Sequence, residues 1–319
     1  MKALITGGAG FIGSHLAQRL LDDGWEVVVV DNLSTGSRAN VAHLNRRDGF
    51  ELIIGDIRDK GLMDEWVRRS DVVYHLAAAV GVQLIADSPV HTIETNIGGT
   101  EIVLAAANKY GRKILLASSS EVYGKSVAVP FDEDDDFVLG STSFSRWAYA
   151  CSKAIDEFLG LAYHQEYGLP VVIGRFFNTI GSRQTGKYGM VVPRFVEAAL
   201  NGRALEVFGT GEQTRCFCYV GDLVEALVML MASDTAVGRA YNIGSDEEIS
   251  ISALADRIIE MTTSRSGKTF IPYDVAYGRP IEDMMRRVPG LSRIRRAVGW
   301  RPRTSLEDTL ALIIEDKRR

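Results

Sequence analysis

Cysteine is scarce in this chain: Cys151, Cys216 and Cys218 are the only three among 319 residues. Three cysteines cannot build a disulfide framework. Cys216-x-Cys218 has no second pair and no nearby histidine, which argues against a zinc site, and no metal ligand set is expected. Long apolar runs are missing too, so no segment reaches the roughly 20 residues of a membrane-spanning helix. The chain also lacks a basic stripe. Its net charge is −5, and Arg286, Arg287, Arg293, Arg295 and Arg296 form only a local cluster interleaved with apolar residues. That excludes the electrostatic footprint of a nucleic-acid binder. No basic segment followed by an apolar stretch and a cleavage site opens the sequence, so a cytoplasmic location is expected. Repeats, low-complexity segments and long linkers are absent as well.

What is present is ordinary for a globular enzyme-sized protein. The hydrophobic fraction is 46% and the charged fraction 24%, with length for one large or two smaller domains. The stretch with most to say runs from Lys2 to Gly13. Ala3 to Ile5 reads as a buried strand, Gly7, Gly10 and Gly13 as a turn, and Phe11, Ile12, Leu16, Leu20 and Leu21 as one side of a helix. Strand, glycine turn and helix N-terminus form an anion site. Gly7 permits the turn, Gly10 lets backbone approach a pyrophosphate, and Gly13 lets helix and strand pack closely. A second strand, Trp25 to Val30, ends in Asp31, about 20 residues on, where a carboxylate can accept from an adenine ribose. It would repel a 2′-phosphate, so NAD is expected over NADP. Arg38 reads as a solvated loop charge.

Strands are expected at 2–6, 26–31, 51–55, 71–76, 113–118 and 171–176, with helices between them, notably 92–110 and 147–167. This alternation predicts an α/β fold with a doubly wound parallel sheet. Asp56-Ile57 follows the third strand, within reach of an adenine. Leu76-Ala77-Ala78 follows the fourth, where small residues let a cofactor lie against backbone. Beyond 176 the pattern loosens. A helix at 193–200, a strand at 205–208, a helix at 222–232 and a strand at 239–243 precede helices and loops over 250–319. The expected division is a dinucleotide-binding domain at 1–176, with 212–245 returning to it, and a smaller sequence-interleaved lobe from 177–211 and 246–319. The acidic run Asp132 to Asp136 is expected to be a solvated loop.

Tyr149 and Lys153 stand at i and i+4, so they share one helix face. An ammonium beside a phenol stabilises the phenolate and makes tyrosine a usable base. Ser118-Ser119-Ser120-Glu121 closes the fifth strand with three hydroxyls and a carboxylate that could act as acid, base or orienter.

Together these motifs resemble the extended short-chain dehydrogenase/reductases, and more narrowly the NAD-dependent nucleotide-sugar epimerases, dehydratases and decarboxylases. The resemblance spans essentially the whole chain and implies a Rossmann-type fold with a substrate-binding C-terminal lobe. It implies a catalytic Ser119, Tyr149 and Lys153, with Lys153 also on the nicotinamide ribose. Phe11, Ile12 and Asn32 join the implied cofactor contacts. Asn178, Val192, Phe208 and Arg215, with Ser119, Ser120, Tyr149 and Arg287, are the implied substrate contacts. Gly299-Trp300-x-Pro302 is similar to the family's C-terminal signature.

Three details resemble the UDP-glucuronate decarboxylases in particular. They are Ser119-Ser120-Glu121-Val-Tyr-Gly, Arg146-Trp147-x-Tyr149, and the segment Tyr277-Gly278, Glu282-Asp283, Arg286-Arg287. The resemblance implies that Glu121 and Arg287 serve the carboxylate step, as a lyase would require. Ser182 stands where those enzymes have proline, and Gly186 to Gly189 replaces their loop, which leaves the sugar open. The expected activity is NAD-dependent decarboxylation of UDP-glucuronate through a 4-keto sugar, to UDP-xylose or a 4-keto-pentose. A UDP-sugar 4-epimerase (an isomerase) is the alternative, and a non-catalytic NAD sensor is the alternative of another class. A homodimer is expected, since family members often pair the two long helices.

Overall fold

The computed structural model describes residues 1–319 apart from 82–87, 145, 187–189, 278–281 and 319. Six strands alternate with helices along the first half: β1 (Lys2–Thr6), β2 (Glu26–Asp31), β3 (Phe50–Ile54), β4 (Val72–His75), β5 (Lys113–Ser119) and β6 (Val171–Phe176). Arg239–Ile243 adds a seventh at the edge beside β6. The spatial order is Arg239–Ile243, β6, β5, β4, β1, β2, β3, and every pairing is parallel. This is the doubly wound sheet expected from the alternation. Its strands are apolar almost throughout, as strands covered on both faces must be.

Successive side chains leave a strand on opposite faces, and the two cores divide accordingly. Ala3, Ile5, Val27, Val29 and Tyr74 pack under α1 (Phe11–Asp22) and the helices Val220–Ala232 and Ser292–Val298. Leu4, Val28, Val30, Val73, Ile114 and Leu116 pack under the helices Lys60–Arg68, Gly99–Tyr110 and Arg146–Tyr167. A third core belongs to the later chain. Val192, Phe195, Val207, Leu254, Ile258, Leu310 and Ile313 join the helices Val191–Leu200, Ile251–Thr262 and Leu306–Arg318 around the strand Leu205–Phe208.

Register levels the strand ends. Thr6 faces both Val30 and His75, and Ser119 faces Phe176. Gly7, Asp31, Leu76 and Ser119 therefore emerge along one edge. The order reverses between β1 and β4, which opens the crevice where such sheets take ligands.

Three local expectations are corrected. The region from 250 onward is not only helix and loop: Lys268–Ile271 pairs in parallel with Leu205–Phe208. The helix expected at 92–110 begins at Pro89 and carries a π-helical turn over Glu94–Gly98. The acidic run is not wholly solvated either. Glu133 is buried, its Oε1 accepts the Asn242 N–H at 2.9 Å, and Arg293 sits among Asp132, Glu133 and Asp134. A fixed backbone donor and one arginine at the sheet edge outweigh the tendency of like charges to stay in water.

Candidate functional site

The crevice is a cavity of about 980 Å³ that runs from the glycine turn to the later lobe. At its first end the three glycines are required by space. Gly7 has φ +72°, and a Cβ there would meet Ala77 Cα at 2.8 Å. A Cβ on Gly13 would lie 2.4 Å from the Gly7 oxygen. Gly10 precedes α1 and offers no side-chain cap, so the first-turn N–H groups remain for an anion. Asp31 ends β2 almost fully buried and accepts from the N–H groups of Ala9 (2.9 Å) and Leu33 (2.7 Å). Burial raises its carboxyl above the usual range, and those two donors oppose the rise. Thr6 and Thr100 hydrogen-bond the two nitrogens of buried His75 at 2.8 and 3.0 Å, which fixes the turn after β4. Asn96 Oδ1 accepts from Ala79 N–H at 2.8 Å, and its amide donates to Ser152 at 3.1 Å. The small residues Ala77 to Ala79 are thus pinned to the Arg146–Tyr167 helix. A glycine cradle, small flanking residues and a strand-end carboxylate together fit a dinucleotide.

At the middle of the cavity stand Ser119, Tyr149 and Lys153. The Ser119 hydroxyl caps the short turn after β5, accepting the Glu121 N–H at 3.2 Å. The sequence predicts a phenol lowered by Lys153, and among the protein's own groups burial dominates instead. Burial pushes Tyr149 up, the Glu121 charge adds to the rise, and the Ser119 hydrogen bond works against it. The Lys153 ammonium is paired instead with buried Asp156 at 3.1 Å.

Beyond Tyr149 lies a cluster of five charges. Glu121 meets Arg287 at 2.7 Å and Arg146 at 3.2 Å. Asp283 meets Arg215 at 2.8 Å and Arg146 at 3.0 Å, and Tyr273 donates to it at 2.9 Å. Arg287 also donates to Ser120 at 3.4 Å. Burial alone would raise Glu121, but Arg146 and Arg287 overcome it and hold the carboxylate down to about 2. The same balance lowers Asp283, where burial is outweighed by Arg215 and Arg146. Three arginines against two carboxylates leave one positive charge in excess.

Gly7, Gly10, Phe11, Ile12, Gly13, Asp31, Asn32, Ile57, Leu76, Ala77 and Ala78 all line the cavity, as do Ser119, Ser120, Glu121, Tyr149, Lys153, Asn178, Val192, Phe208, Arg215 and Arg287. Asp56 does not. Arg58 forks its carboxylate at 2.8–2.9 Å and Asn32 donates to it at 3.1 Å, which turns it toward its own loop. Residues 187–189 of the Gly186–Gly189 loop lie outside the described residues, as does Gly278 of the C-terminal segment. The sequence motifs assign no role to Arg146, Asp283 or Asp156. Arg146 had a signal, since i, i+3 and i+7 place it on the face of Tyr149 and Lys153. Asp156 had the same signal, three residues after Lys153, and Asp283 stands in the segment that carries the decarboxylase resemblance.

A parallel sheet in the order 3-2-1-4-5-6, with a glycine turn on its first strand and a Tyr-x-x-x-Lys helix over its crevice, defines an extended short-chain dehydrogenase/reductase. Residues 4–313 match the family described as GDP-mannose 4,6 dehydratase, and the chain belongs to that family. It is 42% identical over 315 residues to a UDP-N-acetyl-alpha-D-glucosaminuronate decarboxylase of Bacillus cytotoxicus, covering 98% of this chain and 97% of that protein. It is 38% identical over 314 residues to UDP-glucuronic acid decarboxylase 1 of Danio rerio, covering 98% of this chain and 72% of that one. A solved UDP-glucose 4-epimerase of Thermus thermophilus in complex with NAD superimposes with a TM-score of 0.86 at 30% identity, over 100% of this chain and 99% of that one.

Proposed function

We propose that this protein is an NAD-dependent decarboxylase of a UDP-uronate, acting through a 4-keto sugar. The observation that carries this reading is the arginine cluster with one positive charge in excess, set beside Tyr149 in the cavity that holds the glycine turn. Arg215 serves the diphosphate that every UDP-sugar carries, and a uronate adds a carboxylate that matches the charge beside Tyr149.

In this reading residues 1–176 and 212–245 hold NAD, and 177–211 with 246–319 hold the nucleotide sugar. Bound NAD supplies the hydride acceptor for C4 and, on its oxidised ring, a positive charge that favours the Tyr149 phenolate. Tyr149 takes the C4-hydroxyl proton, Ser119 shares that oxygen, and Lys153 orients the ribose and balances the charge. Oxidation at C4 makes the sugar a β-keto acid; its bond from C5 to the carboxyl carbon breaks with release of CO2, the electron pair passes to the C4 ketone as an enolate, and C5 then takes a proton to give the 4-keto-pentose. Glu121, its carboxyl pKa held low by both arginines, keeps Arg146 and Arg287 in place, and Arg287 serves the carboxylate step. Asn178, Val192, Phe208 and Arg215 contact the UDP portion.

A 4-epimerase is the second reading, favoured by the likeness to the Thermus thermophilus enzyme. Incubation with NAD and either UDP-glucuronate or UDP-N-acetylglucosaminuronate, with CO2 and sugar nucleotide followed by NMR, separates the two. CO2 release supports decarboxylation; a C4-inverted uronate without CO2 refutes it. A cytoplasmic homodimer completes the proposal. Val90 and Ile93 on the Pro89–Ile93 helix, with Ile155 and Phe158 on the Arg146–Tyr167 helix, give packed neighbours exposed apolar side chains for a second copy to cover. Among the described residues no helix is long and apolar enough to cross a membrane.

A further inference from the structure

The five-charge cluster divides into two matched pairs and a remainder. Arg287 and Glu121 form one pair at 2.7 Å, and Arg215 and Asp283 form the other at 2.8 Å. Arg215 is further committed to the carbonyls of Thr214 and Met284 at 2.7 and 2.9 Å. Nearby Glu282 is matched as well, by Lys125 at 2.6 Å and by the Trp147 indole N–H at 2.8 Å. Arg146 is the third cation, shared between the two carboxylates, and it also donates to the Glu282 carbonyl at 2.9 Å. It straddles Glu121 and Asp283 at the longer distances of 3.2 and 3.0 Å, each of which already has an arginine of its own. Its Nε is buried without a partner, as is that of Arg287. A surplus cation withdrawn from water is unfavourable until an anion joins it.

Its place on the helix says which anion. Arg146 precedes Tyr149 by three residues, about 4.5 Å along the axis and on the same face. If Tyr149 acts at C4, a carboxyl on the adjacent C5 falls within reach of a guanidinium one turn away. A planar fork suits it, because a guanidinium can bind both carboxylate oxygens at once.

We propose that Arg146 is a specificity-determining residue that receives the C5 carboxylate of the sugar and so selects uronates over neutral hexoses. This rests on the decarboxylase reading and adds to it a residue that the family resemblance left without a role.

The test uses the full chain with NAD bound. Affinities for UDP, UDP-glucose and UDP-glucuronate are measured by calorimetry for the wild type, Arg146→Gln and Arg146→Lys, with CO2 release in parallel. The wild type is expected to favour UDP-glucuronate over UDP-glucose. Arg146→Gln should weaken UDP-glucuronate by about 30-fold or more, as expected for truncating one partner of a buried charge pair. UDP and UDP-glucose should stay within about threefold, since they make no such pair. Arg146→Lys, which keeps the charge and loses the fork, should fall between. Equal losses for all three ligands would make Arg146 a structural clamp and overturn the proposal. So would unchanged discrimination in Arg146→Gln while the wild type releases CO2. A wild type that neither prefers the uronate nor releases CO2 would instead overturn the decarboxylase reading itself, and the proposal with it.

Discussion

Replacing Glu121 by glutamine removes the anion between Arg146 and Arg287 and keeps the shape. The wild-type carboxylate lies 2.7 Å from Arg287 and 3.2 Å from Arg146, with its side chain 16% exposed. Its fall from an ordinary 4.5 to about 2 corresponds to about 3 kcal/mol of stability. Breaking a buried ion pair from one side costs about 3–5 kcal/mol by mutational precedent, so two routes agree in size. The folded-state pKa is depressed. The contribution is therefore complete above 4.5 and is lost as pH falls toward 2. Urea denaturation of wild type and Glu121→Gln at several pH values is the assay. The stability gap should be flat from pH 8 to pH 5 and shrink below 4.5. A gap under about 1 kcal/mol, the size of an exposed pair, would refute the buried-cluster reasoning. So would a gap that changes between pH 5 and 8, because it would mean that Glu121 titrates near neutrality as a general acid would.

Tyr149→Phe should lower turnover by about a thousandfold and leave UDP binding unchanged, read by CO2 release and calorimetry. Gly13→Ala drives a Cβ to 2.4 Å from the Gly7 oxygen and should weaken NAD at least tenfold while sparing UDP, measured by fluorescence titration. Asp31→Ser should narrow the preference for NAD over NADP by at least tenfold, since the carboxylate that repels a 2′-phosphate is gone. Arg175→Met strips the fork that holds buried Glu157 at 2.7–3.1 Å and should destabilise the fold by about 3–5 kcal/mol, visible as a lower Tm.

Much of the fold was legible because periodicity carries it. Val27 to Val30, Ile114 to Leu116 and Val171 to Ile173 are apolar at every position, and only a sheet covered on both faces buries them all. The short strand Lys268–Ile271 escaped notice because its pattern is half-exposed and it depends on a partner more than 60 residues away. The burial of Glu133 within the acidic run is likewise not local. Sequence shows five like charges in a row, and only the fold brings Arg293 and the Asn242 amide to meet them.

The site divides in the same way. Gly7, Gly10 and Gly13, Asp31, Ser119, Tyr149 and Lys153 were readable because each sits at a fixed offset from a strand end or helix turn, and local geometry projects it. The sequence alone therefore determined the sheet, the dinucleotide cradle and the Tyr-Lys face. The tertiary structure decided the charge states. It set the Lys153 ammonium on Asp156, raised Tyr149 by burial, turned Asp56 toward Arg58, and lowered the Glu121 carboxyl through Arg146 and Arg287. It also set Arg146 between the two carboxylates as a third cation. Those outcomes depend on which charges meet across segments as distant as 121, 146, 215, 283 and 287, and on how much water is excluded where they meet. Neither quantity is local in the chain.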